Sequence, residues 1–338
     1  MQTRDAFARP LTDLRVSVTD RCNFRCGFCM PADRRYEFLP RSEILSYEEI
    51  ARLVRVAVGL GVTKVRLTGG EPLLRRDLEA LIGMLRAIEP LEDLALTTNG
   101  WLLGERAAAL AEAGLGRVTV SLPSLDPAVF ARSNGLGLDL GRVLQGIDAA
   151  AAAGLGPVKL NTVVTRGENE HEILPLARFA RERGAVLRFI EYMDVGTVNS
   201  WDPALVVSAR EIVERIDAEL PLEPVAATHR GEVARRWRYR DGGGEIGVIP
   251  SITEPFCGDC TRARLSADGR LFTCLFAAVG HDLRTPLRDP EASDADLAAR
   301  LEAIWSQRTD RYSEKRTTAL RAGRFRPSAK VEMFRIGG

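Results

Sequence analysis

Lys64-Val65-Arg66-Leu67-Thr68-Gly69-Gly70-Glu71-Pro72-Leu73-Leu74-Arg75-Arg76-Asp77 decides how this chain folds. A short β-prone run ends in two glycines, an acid and a proline, and a helical pattern follows over residues 77–88. Parallel strands need a crossover between them, usually a helix, so a strand handing over to a helix is the repeating unit of an α/β fold. The unit recurs on both sides. Strand signals at 14–19, 94–98, 117–121, 158–164 and 186–191 alternate with helical ones. The helices are expected at 46–60, up to 113, near 127–131, and over 141–153, 170–183 and 208–219. Ser46 with Glu49 three residues on predicts a capping box. Six β-α units imply a parallel sheet, and the pattern alone does not separate a doubly wound sheet from a barrel or partial barrel.

Beyond about residue 225 the character changes. Strands are expected at 235–239 and 245–250, and a hairpin over 262–266 and 270–275 around Ala267-Asp268-Gly269. A helix is expected at 294–307, then a basic, weakly patterned tail over 308–338. The expected organisation is therefore 1–225 as the main α/β unit and 226–338 as a smaller α+β part.

The 338 residues are 45% hydrophobic and 28% charged, with a net charge of +1. No global field recruits nucleic acid or a membrane surface, so any anionic partner is held by local cations. The first ten residues carry no apolar export core, and no apolar run approaches membrane-spanning length. A cytoplasmic protein is expected.

All six cysteines fall in two groups of three: Cys22, Cys26 and Cys29, then Cys257, Cys260 and Cys274. Three disulfides would suit the even count but not a long chain with no export signal. Thiolates are the soft ligands chosen by iron–sulfur clusters, zinc and Cu(I). The first group, spaced C-x3-C-x2-C, offers three ligands where structural zinc wants four. A cubane held by three cysteines keeps one iron free for another ligand. The bland alternative is three core cysteines spaced by chance. For the second group, His281 lies seven residues past Cys274, and a Cys3His zinc site stays open.

Cations inside strands point to an anion. Arg66 shares a strand face with Thr68, Lys159 with Asn161, and Arg15 with Ser17 and Thr19. Strands of a covered parallel sheet normally read as apolar runs, and a buried unpaired cation is costly. Acidic partners within the protein would also satisfy them. Arg262 and Arg264 share another strand face and suit phosphate.

The order LRVSVTDRCNFRCGFCMP, RLTGGEPLLRRDL, LTTNG, KLNTVVTRG, RFIEYMDVG, FCGDCTRARLSADGRLFTCLF and a terminal Gly337-Gly338 resembles the GTP 3′,8-cyclases from residue 14 to the end. These are radical S-adenosylmethionine (SAM) lyases of molybdenum-cofactor biosynthesis. The resemblance implies an incomplete (β/α)6 TIM-type barrel closed by the C-terminal part. It implies a 4Fe–4S cluster on Cys22, Cys26 and Cys29, which cleaves SAM to a 5′-deoxyadenosyl radical. That radical takes the ribose 3′ hydrogen of GTP, and attack on guanine C8 gives (8S)-3′,8-cyclo-7,8-dihydroguanosine 5′-triphosphate. SAM would contact Phe28, Gly70, Ser121 and Met193. A second 4Fe–4S cluster on Cys257, Cys260 and Cys274 would hold the guanine, with Arg15, Arg66, Thr97, Lys159, Arg262, Ala263 and Arg264 binding GTP. Catalytic roles would fall to Arg262, Arg264, Gly337 and Gly338, the Gly-Gly tail entering the site. The implied partners are an electron donor such as flavodoxin or ferredoxin and a hand-off to cyclic pyranopterin monophosphate synthase, and the resemblance leaves room for a homodimer.

Two positions depart from the family pattern. Phe28 stands where Tyr is usual, so a hydroxyl is missing. Pro123 in Ser121-Leu122-Pro123-Ser124-Leu125-Asp126 replaces an acidic residue and removes a backbone donor. Two other readings remain: a radical SAM enzyme acting on a peptide, and a zinc-stabilised binding protein. The peptide reading usually comes with more C-terminal cysteines, and the zinc reading leaves the strand cations unexplained.

Overall fold

The structure, a computed structural model, describes residues 2–337 of the 338. It is an α/β protein with a mostly parallel sheet. The strands are β1 (Asp13–Ser17), β2 (Lys64–Thr68), β3 (Asp93–Thr98), β4 (Arg117–Ser121), β5 (Lys159–Val164), β6 (Val186–Glu191), β7 (Leu222–Val225), β8 (Arg235–Tyr239), β9 (Glu245–Ile249), β10 (Arg262–Leu265), β11 (Arg270–Phe272) and β12 (His281–Asp282). All twelve join one sheet in the order β12-β11-β10-β1-β2-β3-β4-β5-β6-β9-β8-β7. β1 to β6 follow in sequence and pair in parallel, each step spanned by helix as the unit pattern requires.

Residues after 225 do not stand apart from this sheet. β9 pairs in parallel with β6 at one edge and β10 in parallel with β1 at the other. Both open edges are thereby covered, which removes the unpaired backbone groups an edge strand leaves. β10–β11 is the expected antiparallel hairpin, and the two expected strands β8 and β9 pair antiparallel.

Local chemistry explains the elements that the pattern located. Ser46 accepts from Glu49 N–H at 3.1 Å while Glu49 accepts from Ser46 N–H at 2.6 Å, closing the capping box on helix Tyr47–Gly59. Ser208 caps helix Ala209–Asp217 by accepting from Glu211 N–H at 3.2 Å. The tail over 308–338 departs from expectation: it contains helices Tyr312–Arg321 and Met333–Ile336. Tyr312–Arg321 is too polar to show hydrophobic periodicity and is held by an ion pair and an aromatic contact, whereas Met333–Ile336 buries Phe334 and Ile336 but is a single turn, too short to show a period.

Alternation along the strands sorts the sheet into two chemically distinct faces. Leu14, Val16, Val65, Leu67, Leu94 and Leu96 point to one face and are buried with helix residues such as Leu53, Leu81 and Leu110 in the main core. The other face is polar. It starts with Arg264, Arg15 and Arg66 directly opposite one another across β10, β1 and β2.

Candidate active site

The polar face collects most of the residues singled out above. Thr97, Thr119 and Lys159 form a row across β3, β4 and β5, and Ser121, Asn161 and Arg188 form the next across β4, β5 and β6. Acidic counter-charge lies at the strand starts. Asp93 accepts from Arg117 Nε at 2.9 Å and lies 3.5 Å from Lys64 Nζ. Among the described residues, Arg15, Arg66, Lys159 and Arg188 have no ion-pair partner. Arg66 donates to the hydroxyls of Thr97 and Thr119, at 3.2 and 3.1 Å. Buried polar atoms left without a partner include Arg15 Nε, Arg66 Nε and Asn161 Oδ1.

Such crowding is written in the acidities. Burial, then the Arg188 and Arg117 charges, bring the Lys159 ammonium down to about 7. Burial, then Arg66 and Arg262, lower Arg15 to about 9. Burial, then Arg15 and Arg262, hold Arg264 well below its ordinary value. A cluster of desolvated like charges is stable only with an anion among them. The face therefore suits an anionic ligand.

Ala263 alternates to the other face, where its side chain is packed in the core; toward the site it offers backbone alone. Gly337 reaches the polar face from the chain end: its carbonyl accepts from Arg264 Nη1. A Cβ there would collide with the Thr68 hydroxyl, and its φ of +72° also favours glycine. Gly338 lies outside the described residues.

The first cysteine group follows β1, in the loop at the carboxyl ends of the strands where α/β folds bind ligands. The Gly-Gly-Glu-Pro turn after β2 holds this loop. Gly70 N–H donates to Thr19 O at 2.7 Å and Glu71 N–H to Arg21 O at 2.8 Å. A Cβ on Gly69 would sit 2.6 Å from Thr19 O, so here the missing side chain admits the neighbouring loop's backbone. Glu71 is 1% exposed, and its carboxylate accepts from Leu73 N–H, Thr98 Oγ1 and Asn99 N–H at 3.0, 2.7 and 2.7 Å. Asn99 in turn donates to Asn23 Oδ1 at 2.8 Å, one residue from Cys22. Burial pushes the Cys22 and Cys26 thiols up to about 12, and burial together with Cys26 and Cys22 raises Cys29 well above the ordinary thiol value. Three adjacent thiols that resist ionisation unaided, with no disulfide, fit a cationic cluster as their common partner.

Phe28 and Met193 are half-buried in loops that follow β1 and β6, and Ser121 ends β4. The Pro123 carbonyl is taken by Asn169 Nδ2 at 2.8 Å, so the proline turn is braced from behind.

The second group sits beside β10. Arg262 Nη2 lies 3.5 Å from Cys260 Sγ. Burial opposes ionisation of Cys260, but the Arg262 and Arg308 guanidiniums outweigh it and lower the thiol to about 6. Burial raises Cys274 to about 12. A ready thiolate at Cys260, grouped with two further cysteines outside any disulfide, suits a metal-sulfur centre.

Comparison with known proteins settles the family. The chain is 56% identical over 319 residues to GTP 3′,8-cyclase of Acidothermus cellulolyticus, covering 93% of this chain and 88% of that one. It is 53% identical to GTP 3′,8-cyclase of Xanthomonas axonopodis pv. citri, covering 99% and 98%. The chain belongs to the GTP 3′,8-cyclase family. Residues 16–180 match the Radical SAM superfamily model and 185–314 the Molybdenum Cofactor Synthesis C model. With the superfamily come a 4Fe–4S cluster and SAM. Among solved structures, Streptococcus suis SuiB shares the fold, with a TM-score of 0.61 at 16% identity over 90% of this chain and 68% of that one. That likeness concerns the fold and carries no substrate.

Sequence reasoning missed Arg117, Arg188, Glu71 and Asn23. Arg117 and Arg188 obey the same alternation that exposed Lys159 and were legible on that ground. The Glu71–Asn99–Asn23 relay joins three separate loops, and no spacing rule reveals it.

Proposed function

We propose that this chain is a GTP 3′,8-cyclase, a lyase that joins the ribose 3′ carbon of GTP to guanine C8 in molybdenum-cofactor biosynthesis. The observation that carries the reading is the cation face between two three-cysteine loops, where Arg15, Arg66 and Lys159 have no ion-pair partner among the described residues and Arg15 Nε and Arg66 Nε have no hydrogen-bond partner. Its sheet is the incomplete (β/α)6 barrel of that family, its two edges extended by the C-terminal strands.

Cys22, Cys26 and Cys29 hold the first 4Fe–4S cluster, and Cys257, Cys260 and Cys274 hold a second. When bound, the first cluster supplies the electron that cleaves SAM reductively, and the second supplies an open iron for the guanine. Gly70, Ser121, Met193 and the Phe28 ring contact SAM. Arg15, Arg66, Thr97, Lys159, Arg262, Arg264 and the Ala263 backbone take GTP, the guanidiniums gripping phosphate oxygens in paired hydrogen bonds. Thr97 and Thr119 aim the Arg66 fork. Arg264 holds Gly337 over the face, and Arg262, Arg264, Gly337 and Gly338 take the catalytic roles. The reaction needs an electron donor such as flavodoxin or ferredoxin. The product passes to cyclic pyranopterin monophosphate synthase. A reducing cytoplasm keeps the thiols available.

Anaerobic reconstitution with SAM, dithionite and GTP tests the reading. Formation of 5′-deoxyadenosine that depends on GTP, with a cyclised GTP product, supports it. Deoxyadenosine formed without any GTP dependence removes GTP as substrate and revives the peptide reading.

A further inference from the structure

The segment before β1 has no part in the function proposed above, yet it contributes some of the most deeply buried charges. Asp5 closes residues 5–9 into a tight turn. Its Oδ1 accepts from the N–H groups of Phe7 and Arg9 at 2.9 and 3.0 Å, and its Oδ2 accepts from Arg9 Nε at 2.6 Å. Both side chains of that ion pair are 0% exposed. Arg308, just past helix Asp294–Ser306, donates from Nη1 to the same Oδ2 at 3.2 Å and is itself buried. One carboxylate thus faces two guanidiniums.

Further hydrogen bonds from both arginines reach the second cysteine loop. Arg9 Nη1 donates to the carbonyls of Cys257 and Asp310, at 2.7 and 2.9 Å. Arg308 Nη1 donates to the carbonyl of Cys260 at 2.8 Å. Asp310 completes the set, because its Oδ2 accepts from Thr273 Oγ1 at 2.6 Å, one residue before Cys274. Trp305 lies under the Arg308 guanidinium, 4.5 Å from the ring centre, and donates Nε1–H to Arg9 O at 3.1 Å.

A structural ion pair accounts for the burial but not for where the donors end. Buried pairs are often no better for stability than apolar residues of the same volume. Here the rigid guanidinium forks fix the carbonyls of two cysteines, and with them the directions of their side chains. Outer partners of this kind orient metal ligands and tune the metal.

We propose that Asp5, Arg9 and Arg308 are positioning residues of the second cysteine site: Asp5 aims the two guanidiniums, and these hold the Cys257–Cys260 turn in ligating register and maintain a positive field there. The inference rests on the reading of Cys257, Cys260 and Cys274 as cluster ligands.

Iron content and cluster spectra of the reconstituted full chain test it. Wild-type protein with roughly four iron atoms instead of roughly eight, the content of two cubanes, would fail the underlying reading whatever the variants do. Given eight in wild type, Arg9→Met should fall towards four, matching Cys274→Ser. It should keep the SAM-responsive EPR signal of the first cluster, which shows that the fold survives. Asp5→Asn, close in shape and one negative charge fewer, should keep its iron and shift the second cluster's midpoint potential upward. Full iron in Arg9→Met together with an unchanged potential in Asp5→Asn would overturn the proposal. If Arg9→Met yields no soluble protein, the Asp5→Asn potential decides alone.

Discussion

Arg264 donates to the carbonyl of Gly337, which ties the end of the chain to the strand beside β1. The left-handed φ of +72° and the Thr68 hydroxyl leave no room for a side chain at 337. Gly337→Ala should therefore expel the tail from the polar face. We expect cyclisation to fall ~5- to 30-fold, from strain of about 1–2 kcal/mol, while thermal unfolding and iron content match wild type. Product formation beside a melting curve checks this.

Arg264→Ala and Arg66→Met each remove a buried cation from the polar face, the proposed seat of the triphosphate. A charge-assisted hydrogen bond contributes about 1.5–3 kcal/mol, so GTP affinity should weaken roughly 10- to 100-fold. Iron content stays unchanged, because neither residue is a cysteine ligand. Anaerobic calorimetry with GTP reads the change, and unaltered affinity removes the residue from the substrate site.

Lys159 makes GTP binding depend on pH. Its ammonium titrates near 7 in the free protein, by burial and by Arg188 and Arg117, and a bound polyphosphate would raise that value. Binding is thus strongest below about pH 7 and weakens as pH rises through it, by up to ~10-fold per pH unit. The effect on folding runs the other way. The unfolded lysine keeps its proton to about pH 10.4, so the penalty of charging Lys159 in the fold is present below about 7 and relieved as pH rises between the two values. Lys159→Met should flatten the pH dependence of the GTP dissociation constant.

Glu71 holds three donors from two loops inside the protein. Glu71→Ala leaves those donors unsatisfied and should cost about 3 kcal/mol or more. Because the relay continues through Asn99 to Asn23 beside Cys22, iron bound at the first site should fall before the second site is affected. Melting temperature and iron analysis of the Glu71→Ala, Cys274→Ser double variant isolate that site.

Much of this arrangement was legible from local pattern. The β-α alternation located β1 to β6 within a residue or two, and Arg15, Arg66 and Lys159 betrayed the polar face because cations interrupt strands that should read as apolar. Pairing between distant segments was not legible. Nothing local in Glu245–Ile249 or Arg262–Leu265 announces that they cover opposite edges of the main sheet. Helix Tyr312–Arg321 was missed because it is fixed by Arg316 to Asp194 at 2.6 Å and by Tyr312 stacked on Phe276 at 4.5 Å, contacts without a sequence period. The Gly-Gly-Glu-Pro turn was found for its glycines, yet Gly69 makes room for the cysteine loop and Glu71 anchors it.

The central claim is that a radical made from SAM takes the ribose 3′ hydrogen of GTP held on the cation face. Reconstituted protein given SAM, dithionite and GTP deuterated at the ribose 3′ position tests it most directly. The account predicts 5′-deoxyadenosine carrying that deuterium, alongside a cyclised triphosphate. Unlabelled 5′-deoxyadenosine formed with a cyclised product, or labelled GTP recovered intact from iron-loaded protein that cleaves SAM, would contradict it.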